Sequence, residues 1–268
     1  DLYDFIKKDL VLSVNGKEIT LNKYSPAQKT LMRGIYNKIP GSAYLEKTNN
    51  KLFLLSSTGI LAYSNYNKSN LIFRQIKNNI NEYIGIEQFR KSQKFAVRDI
   101  LLFKEKIFVS FTNEVKEDCW NMSLIYADLN YTNIKFRPLF IPDECVSSKD
   151  NTDKVFEALQ AGGRIVGFTN NQILLSTGEF RSRSKAQDKE STMGKIIKIN
   201  FSNKNHEIVV MGTRNAQGLY YDKSNELLFS TEHGPEGGDE INIISTKNLN
   251  DKQIKNLGWA ISSYGEHY

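Results

Sequence analysis

A chain of 268 residues with 40% hydrophobic and 25% charged content can bury a substantial core, as one domain or, less readily, two. Its net charge of +6 at pH 7 comes from lysines scattered among acidic residues and asparagines, with no basic tract or aromatic-basic box, which argues against a nucleic-acid partner. No apolar stretch approaches the ~20 residues that span a bilayer, so no transmembrane segment is expected.

Residues 1–40 read as an N-terminal extension, ahead of the main fold at 41–268. Within the extension, Asp4–Leu12 predicts a short helix, Leu12–Leu21 a hairpin about Asn15-Gly16, and Ser25–Tyr36 a helix opened by Ser25-Pro26. The chain begins at Asp1 without Met, as it would after removal of a signal peptide or anchor.

From residue 43 a repeat sets in. Lys51-Leu52-Phe53-Leu54-Leu55-Ser56 returns as Lys106-Ile107-Phe108-Val109-Ser110, Gln172-Ile173-Leu174-Leu175-Ser176 and Glu226-Leu227-Leu228-Phe229-Ser230, at spacings of 55, 66 and 54. The later runs follow a shorter apolar run and a turn, such as Asp99–Phe103 with Lys104-Glu105. Each run precedes a further strand candidate: Ile60–Tyr63, Leu124–Asp128, Lys195–Asn200 and Glu240–Ile244. A four-stranded unit recurring at such intervals is the pattern of β-propeller blades with long loops; unrelated hairpins in a β-sandwich would not repeat the same order four times.

Cys119 and Cys145 lie outside any Cys-x-x-Cys metal spacing and sit in similar polar, loop-like settings. An exported protein would pair them and a cytosolic one would keep two thiols; the even count and like settings favour a disulfide. Antiparallel pairing of Leu124–Asp128 with Ile134–Phe140 would bring them together.

Residues 212–244 concentrate the polar chemistry. Gly218–Tyr221 and Leu227–Thr231 flank the turn Asp222-Lys223-Ser224-Asn225 as a hairpin. Arg214, Asn215 and Gln217 enter its first strand, and Glu232, His233, Asp239 and Glu240 leave its second. The loop Gly234-Pro235…Gly237-Gly238 suits close approach of backbone carbonyls to a ligand, or a turn whose side chains satisfy their own backbone.

Several short matches, in order and at consistent spacing, resemble the glucose/sorbosone dehydrogenase family: Arg214-Asn215-Ala216-Gln217-Gly218-Leu219, Thr231-Glu232-His233-Gly234-Pro235, Gly238-Asp239-Glu240-Ile241-Asn242 and Leu257-Gly258-Trp259. Upstream, the likeness takes in Gly162-Gly163-Arg164-Ile165, Ser176-Thr177-Gly178-Glu179 and Met193-Gly194-Lys195-Ile196, so it covers residues 158–268. The resemblance implies an all-β fold, a six-bladed β-propeller of which about four to five blades are present, incomplete at the C-terminus. It also implies a periplasmic or secreted quinoprotein that uses pyrroloquinoline quinone and calcium to oxidise a sugar or similar alcohol and passes electrons to an acceptor.

Carried over residue by residue, the resemblance puts Arg164, Arg214 and Asn215 at the quinone and the carbonyls of Gly234 and Pro235 at the catalytic calcium. Glu240 and the Leu257 carbonyl fall at a separate structural calcium. The family's base histidine stands four residues before the Gly-Arg arginine, preceded by an aspartate that orients it; here those positions hold Gln160 and Leu159. An amide does not accept a proton near neutral pH, so general-base catalysis fails at Gln160. Of the three histidines, His206 reads as a surface residue and His267 has no assigned role. His233 lies in the Glu232–Pro235 loop, either at the pocket or bonded to a backbone carbonyl. Phe180–Glu190, with Arg181, Arg183 and Lys185, reads as a polar loop over the pocket or a solvated charge run. Two functions follow: a quinone-dependent sugar dehydrogenase, favoured by the motif around Arg214, or a non-catalytic propeller of the same descent that binds a glycan, small molecule or protein, favoured by Gln160.

Overall fold

Alternating runs of β-branched, aromatic and polar residues, broken by tight turns, put most of the chain into antiparallel strands. The structure, a computed structural model, describes residues 3–26, 43–48, 50–66, 71–92, 94–247, 249, 253–263 and 266–267. Strands β1 (Tyr3–Val14) and β2 (Lys17–Pro26) form a long hairpin that turns at Asn15-Gly16. The first sheet continues through β3 (Ala43–Lys47), β4 (Lys51–Ser56), β5 (Leu61–Asn65) and β6 (Ile72–Asn78), and β1 joins it on β6 at Tyr3↔Phe73. A short helix, α1 (Ile86–Lys91), leads to the second sheet.

That sheet holds β7 (Val97–Phe103), β8 (Lys106–Lys116) and β9 (Cys119–Asp128), then β11 (Arg137–Phe140) and β12 (Val146–Ser147) on β9; β10 (Asn133–Ile134) runs parallel to β6. The third sheet orders β13 (Gly162–Thr169), β14 (Gln172–Thr177), β15 (Lys195–Asn200) and β16 (His206–Met211), with α2 (Arg183–Gln187) between β14 and β15. The fourth holds β17 (Ala216–Asp222), β18 (Leu227–Glu232) and β19 (Glu240–Ser245). Beyond it β20 (Lys255–Asn256) lies parallel to β16, and β21 (Ser262–Ser263) pairs with β22 (Glu266–His267).

The four sheets succeed one another as propeller blades. Their first strands, β3, β7, β13 and β17, touch in sequence. Each gap between sheets is filled by an apolar layer: Phe53 and Leu55 with Ile107 and Val109, Phe108 and Tyr126 with Ile173 and Leu175, Leu174 and Ile196 with Leu219 and Leu228. Burying such side chains fully stabilises the fold by roughly 1.5–3 kcal/mol each. Hydroxyls staple successive sheets: Ser110 Oγ donates to the Gly163 carbonyl and Ser176 Oγ to the Ala216 carbonyl.

The repeat holds for the second strands β8, β14 and β18, with one correction of register. Two-residue turns join β7 to β8 and β13 to β14, where Phe103 faces Lys106 and Thr169 faces Gln172. The β17–β18 loop is two residues longer and pairs Asp222 with Leu227. Leu227 therefore stands where Lys106 and Gln172 do, and Thr231, not Ser230, takes the position of the stapling serines. The longer loop absorbs the offset that the sequence pattern hides.

Asp4–Leu12 is strand and not helix: its partner β2 supplies a full ladder from Lys7↔Tyr24 to Val14↔Lys17, and the alternation of Leu10, Leu12 and Val14 suits one face of a ribbon. Most of the helix expected at Ser25–Tyr36 lies outside the described residues. Cys119 and Cys145 form a disulfide with Cα atoms 5.4 Å apart. β9 pairs with β11 at Tyr126↔Arg137, and the chain returns on β12 to pair Ser147 with Cys119. Closing a loop of this size contributes on the order of 3 kcal/mol.

Candidate functional site

All four first strands contribute to one axial cavity of about 460 Å³. Its walls are Tyr44 from β3, Arg98 from β7, Glu157, Leu159 and Gln160 on the approach to β13 with Gly162 and Arg164 of that strand, and Arg214, Asn215 and Gln217 at the start of β17, with His233 at the rim. Two glycines make the convergence possible. Gly163 has φ +106°, and a Cβ there would lie 2.4 Å from Arg98 Cβ; a Cβ on Gly178 would lie 2.0 Å from the Gln160 carbonyl oxygen. The close packing at Gly178 lets its amide bond to Ala161 O (2.7 Å) and the Phe180 amide to Gln160 O (3.0 Å). Glu179 is thereby carried beneath Gln160.

Gln160 is buried, and its hydrogen-bond network fixes the amide. Nε2 donates to Glu179 Oε1 (2.7 Å), and Oε1 accepts from Arg214 Nη2 (2.7 Å). The other guanidinium nitrogen, Nη1, donates to the carbonyls of His233 (2.8 Å) and Gly234 (2.7 Å), and the guanidinium lies 5.4 Å from the Trp259 ring centroid. Burial pushes the Glu179 carboxyl up to about 7 against the pull of Arg214, and the same desolvation pushes Arg214 down. Leu159, which the resemblance sets at the position of an orienting acid, lines the cavity and offers its carbonyl to Gln217 Nε2 (3.1 Å). The acid that meets Gln160 comes instead from Gly178-Glu179, to which the sequence alone assigns no role.

Across the cavity, Arg164 Nη1 pairs with the buried Asp99 (2.8 Å), whose other oxygen accepts the Ile165 amide (2.8 Å). Burial raises the Asp99 carboxyl, and Arg164 pulls against it. Arg164 lines both this cavity and a second hollow, whose walls include Glu46, Asp99, Val166 and Tyr220. Asn215 is a strut: its Oδ1 accepts from the Gly162 amide (3.1 Å) and holds β13 to β17.

The structure brings Gln160, Arg164, Arg214, Asn215 and His233 to one cavity, and Gly234 touches it through Arg214. Glu240 lies in an adjoining hollow with Glu232, Asp239 and Ile241, which meets the cavity at Gln217 and His233, and Leu257 packs against the apolar layer between the third and fourth sheets. The Pro235 carbonyl accepts the Gly238 amide (2.7 Å) in a tight turn. Among the described residues, no three His, Cys, Asp or Glu side chains gather as a metal centre. The Phe180–Glu190 segment is tied down: Lys185 reaches Glu144 (2.7 Å), the Arg183 amide bonds to Asp153 (2.7 Å), and Phe180 is buried.

Residues 103–268 match the family described as glucose/sorbosone dehydrogenase. The chain is 32% identical over 120 residues to the aldose sugar dehydrogenase YliI of Escherichia coli, a match covering 40% of this chain and 30% of that one. The fold resembles the soluble aldose sugar dehydrogenase of Escherichia coli in its apo form (21% identity, TM-score 0.59, 84% of this chain and 64% of that one). It also resembles the PQQ-bound aldose sugar dehydrogenase of Streptomyces coelicolor (17% identity, TM-score 0.63, 83% of this chain and 63% of that one). These solved structures are each matched over less than two thirds of their length.

Proposed function

The chain belongs to the glucose/sorbosone dehydrogenase family, and on that premise we propose that its axial cavity binds pyrroloquinoline quinone and that its sugar oxidation is impaired at the proton-accepting step. The observation that carries the binding half is the convergence of Arg98 and Arg214, with Asn215 and the Asp99-paired Arg164, on one cavity. Guanidinium groups suit a planar polycarboxylate through charge-assisted, bidentate bonding. The quinone, when bound, would supply the hydride acceptor for a sugar or similar alcohol, and an electron acceptor would reoxidise it.

The impairment follows from Gln160. Its Nε2 is a donor and its only acceptor oxygen already takes a proton donor from Arg214, so the side chain orients neighbours and accepts no proton. His233 is 60% exposed and lies 3.8 Å from Asp239 at the rim, where it can meet a substrate hydroxyl only from the open side. Adding a quinone, an aldose and an artificial electron acceptor to wild type should give saturable quinone binding with turnover near background. Gln160→His should raise turnover by roughly 10²-fold, the range a positioned base supplies. Rapid wild-type turnover, indifferent to this change, refutes the impairment; absence of saturable quinone binding refutes the cofactor.

The calcium implied by the family divides in two. The carbonyls of Gly234 and Pro235 already accept Arg214 and Gly238, so as arranged they do not fit a metal. Glu240 fits better: it faces Glu232 across the β18–β19 ladder, and Asn242 Nδ2 bonds to both carboxylates (3.2 and 3.1 Å). Burial, with Glu240's charge adding, pushes Glu232 up to about 7, a strain that a cation at Glu240 would relieve. Calorimetric calcium uptake lost in Glu240→Ala supports this site, and equal uptake by both proteins refutes it. Export to the periplasm or outside the cell is part of the same proposal, supported by the disulfide, since such bonds persist in oxidising compartments.

A further inference from the structure

The Arg214 guanidinium occupies the inward side of the Gly234 loop. It is held by the carbonyls of His233 and Gly234 through Nη1 and by Gln160 through Nη2, and it rests over the Trp259 ring. Its backbone is fixed as well, the Arg214 amide donating to Glu232 Oε2 (2.6 Å). Every group bonded to the guanidinium itself is a neutral carbonyl or amide; the nearby carboxylates act from farther off, Glu179 through Gln160 and Glu232 through the Arg214 backbone amide. The loop itself leaves little freedom, since a Cβ on Gly234 would lie 1.6 Å from the Gly238 carbonyl oxygen. Calcium asks for a shell of six to eight oxygens, several of them anionic. Here the Gly234 oxygen already serves a fixed cation and the Pro235 oxygen closes a turn, so an incoming metal would meet like charge at hydrogen-bond distance.

We propose that Arg214 takes the place of a metal ion at this loop, so that the cavity offers its anionic ligand a protein-borne positive charge and needs no calcium there. This rests on the family reading for the ligand but not for its test, which needs no quinone. Terbium, a luminescent stand-in for calcium, is titrated alone into the full chain carrying Glu240→Gln, which removes the other candidate site. Trp259 lies beside the loop and would sensitise a bound ion. The Arg214-bearing protein is expected to show no Trp259-dependent emission, and the Arg214→Ala form should show saturable emission that disappears with Trp259→Phe. Arg214→Gln provides the same reading if the alanine form does not fold.

Sensitised emission of equal strength with Arg214 present would overturn the proposal, because metal and arginine would then not compete. Emission from neither protein would overturn it too, because the vacated carbonyls would not be a metal position. A second measurement separates this from failure of the quinone reading. Where quinone binds, chelation of calcium should shift its affinity less than about twofold in wild type, and a loss of tenfold or more would count against Arg214 as the substitute.

Discussion

Two arginines face the same cavity and are held in opposite ways. Arg164 is paired with a carboxylate, Asp99, whose side chain is 3% exposed and whose second oxygen anchors the β13 backbone at Ile165. Arg214 is held by two carbonyls and an amide. The first arrangement spends its charge on the fold: Arg164 and Asp99 join β13 to β7. The second leaves the charge available, because neutral acceptors fix a guanidinium in place without neutralising it. The position of an arginine in a pocket thus says less about its role than the charge of what holds it.

The largest expected effect tests the structural half of that contrast. Arg164→Ala strands a buried carboxylate and should destabilise the fold by on the order of 2 kcal/mol. That is below the 3–5 kcal/mol typical of broken buried pairs, since Arg164 is itself 43% exposed. Arg214→Ala breaks no direct bond between its guanidinium and a carboxylate, and Glu179, raised to about 7, can shed its charge by taking up a proton, so the loss should be markedly smaller. Chemical denaturation of both variants and of Arg164→Ala with Asp99→Ala decides the matter, because removing both partners should restore part of the loss. Equal destabilisation by the two arginine variants would break the contrast.

How far this was legible in the sequence depends on range. The blades could be read because a period-2 pattern and turn residues are local: Lys104-Glu105 and Asn15-Gly16 announce their hairpins, and the disulfide followed from two cysteines in like settings. The register of β18 could not be read, since a loop longer by two residues shifts the pairing by one without altering the apolar run. Asp4–Leu12 misled because its alternation shows only once its partner strand, residues 17–26, is recognised. At the site, the motif around Arg214 and the amide side chain at position 160 were visible. Glu179 was not, because its partnership with Gln160 is made across the approach to β13 by the close contact at Gly178, and no spacing in the sequence encodes that. The engagement of the Gly234 carbonyl by Arg214 is likewise a tertiary fact.

The smallest effect concerns how completely the Arg214 charge is available. Glu179 lies one amide away, linked through Gln160, and burial raises its carboxyl from the ordinary glutamate value to about 7. Below that pH it is neutral and Arg214 stands uncompensated; above it the carboxylate offsets the guanidinium. The same shift sets the sign of its stability contribution. The folded value lies above the unfolded one, so the contribution is full below about 4.5 and is lost as pH rises through about 7. Quinone affinity should therefore fall about three- to tenfold between pH 6 and pH 8, as a coupling of ~1 kcal/mol gives, and the Glu179→Gln profile should be flat. Glu232, also raised to about 7 and bonded to the Arg214 amide, is the competing source. A pH dependence that survives Glu179→Gln and vanishes in Glu232→Gln would move the control of Arg214 to the outer carboxylate. A flat wild-type profile would show that its charge is unmodulated across this range, which would make Arg214 a still closer counterpart of a metal ion.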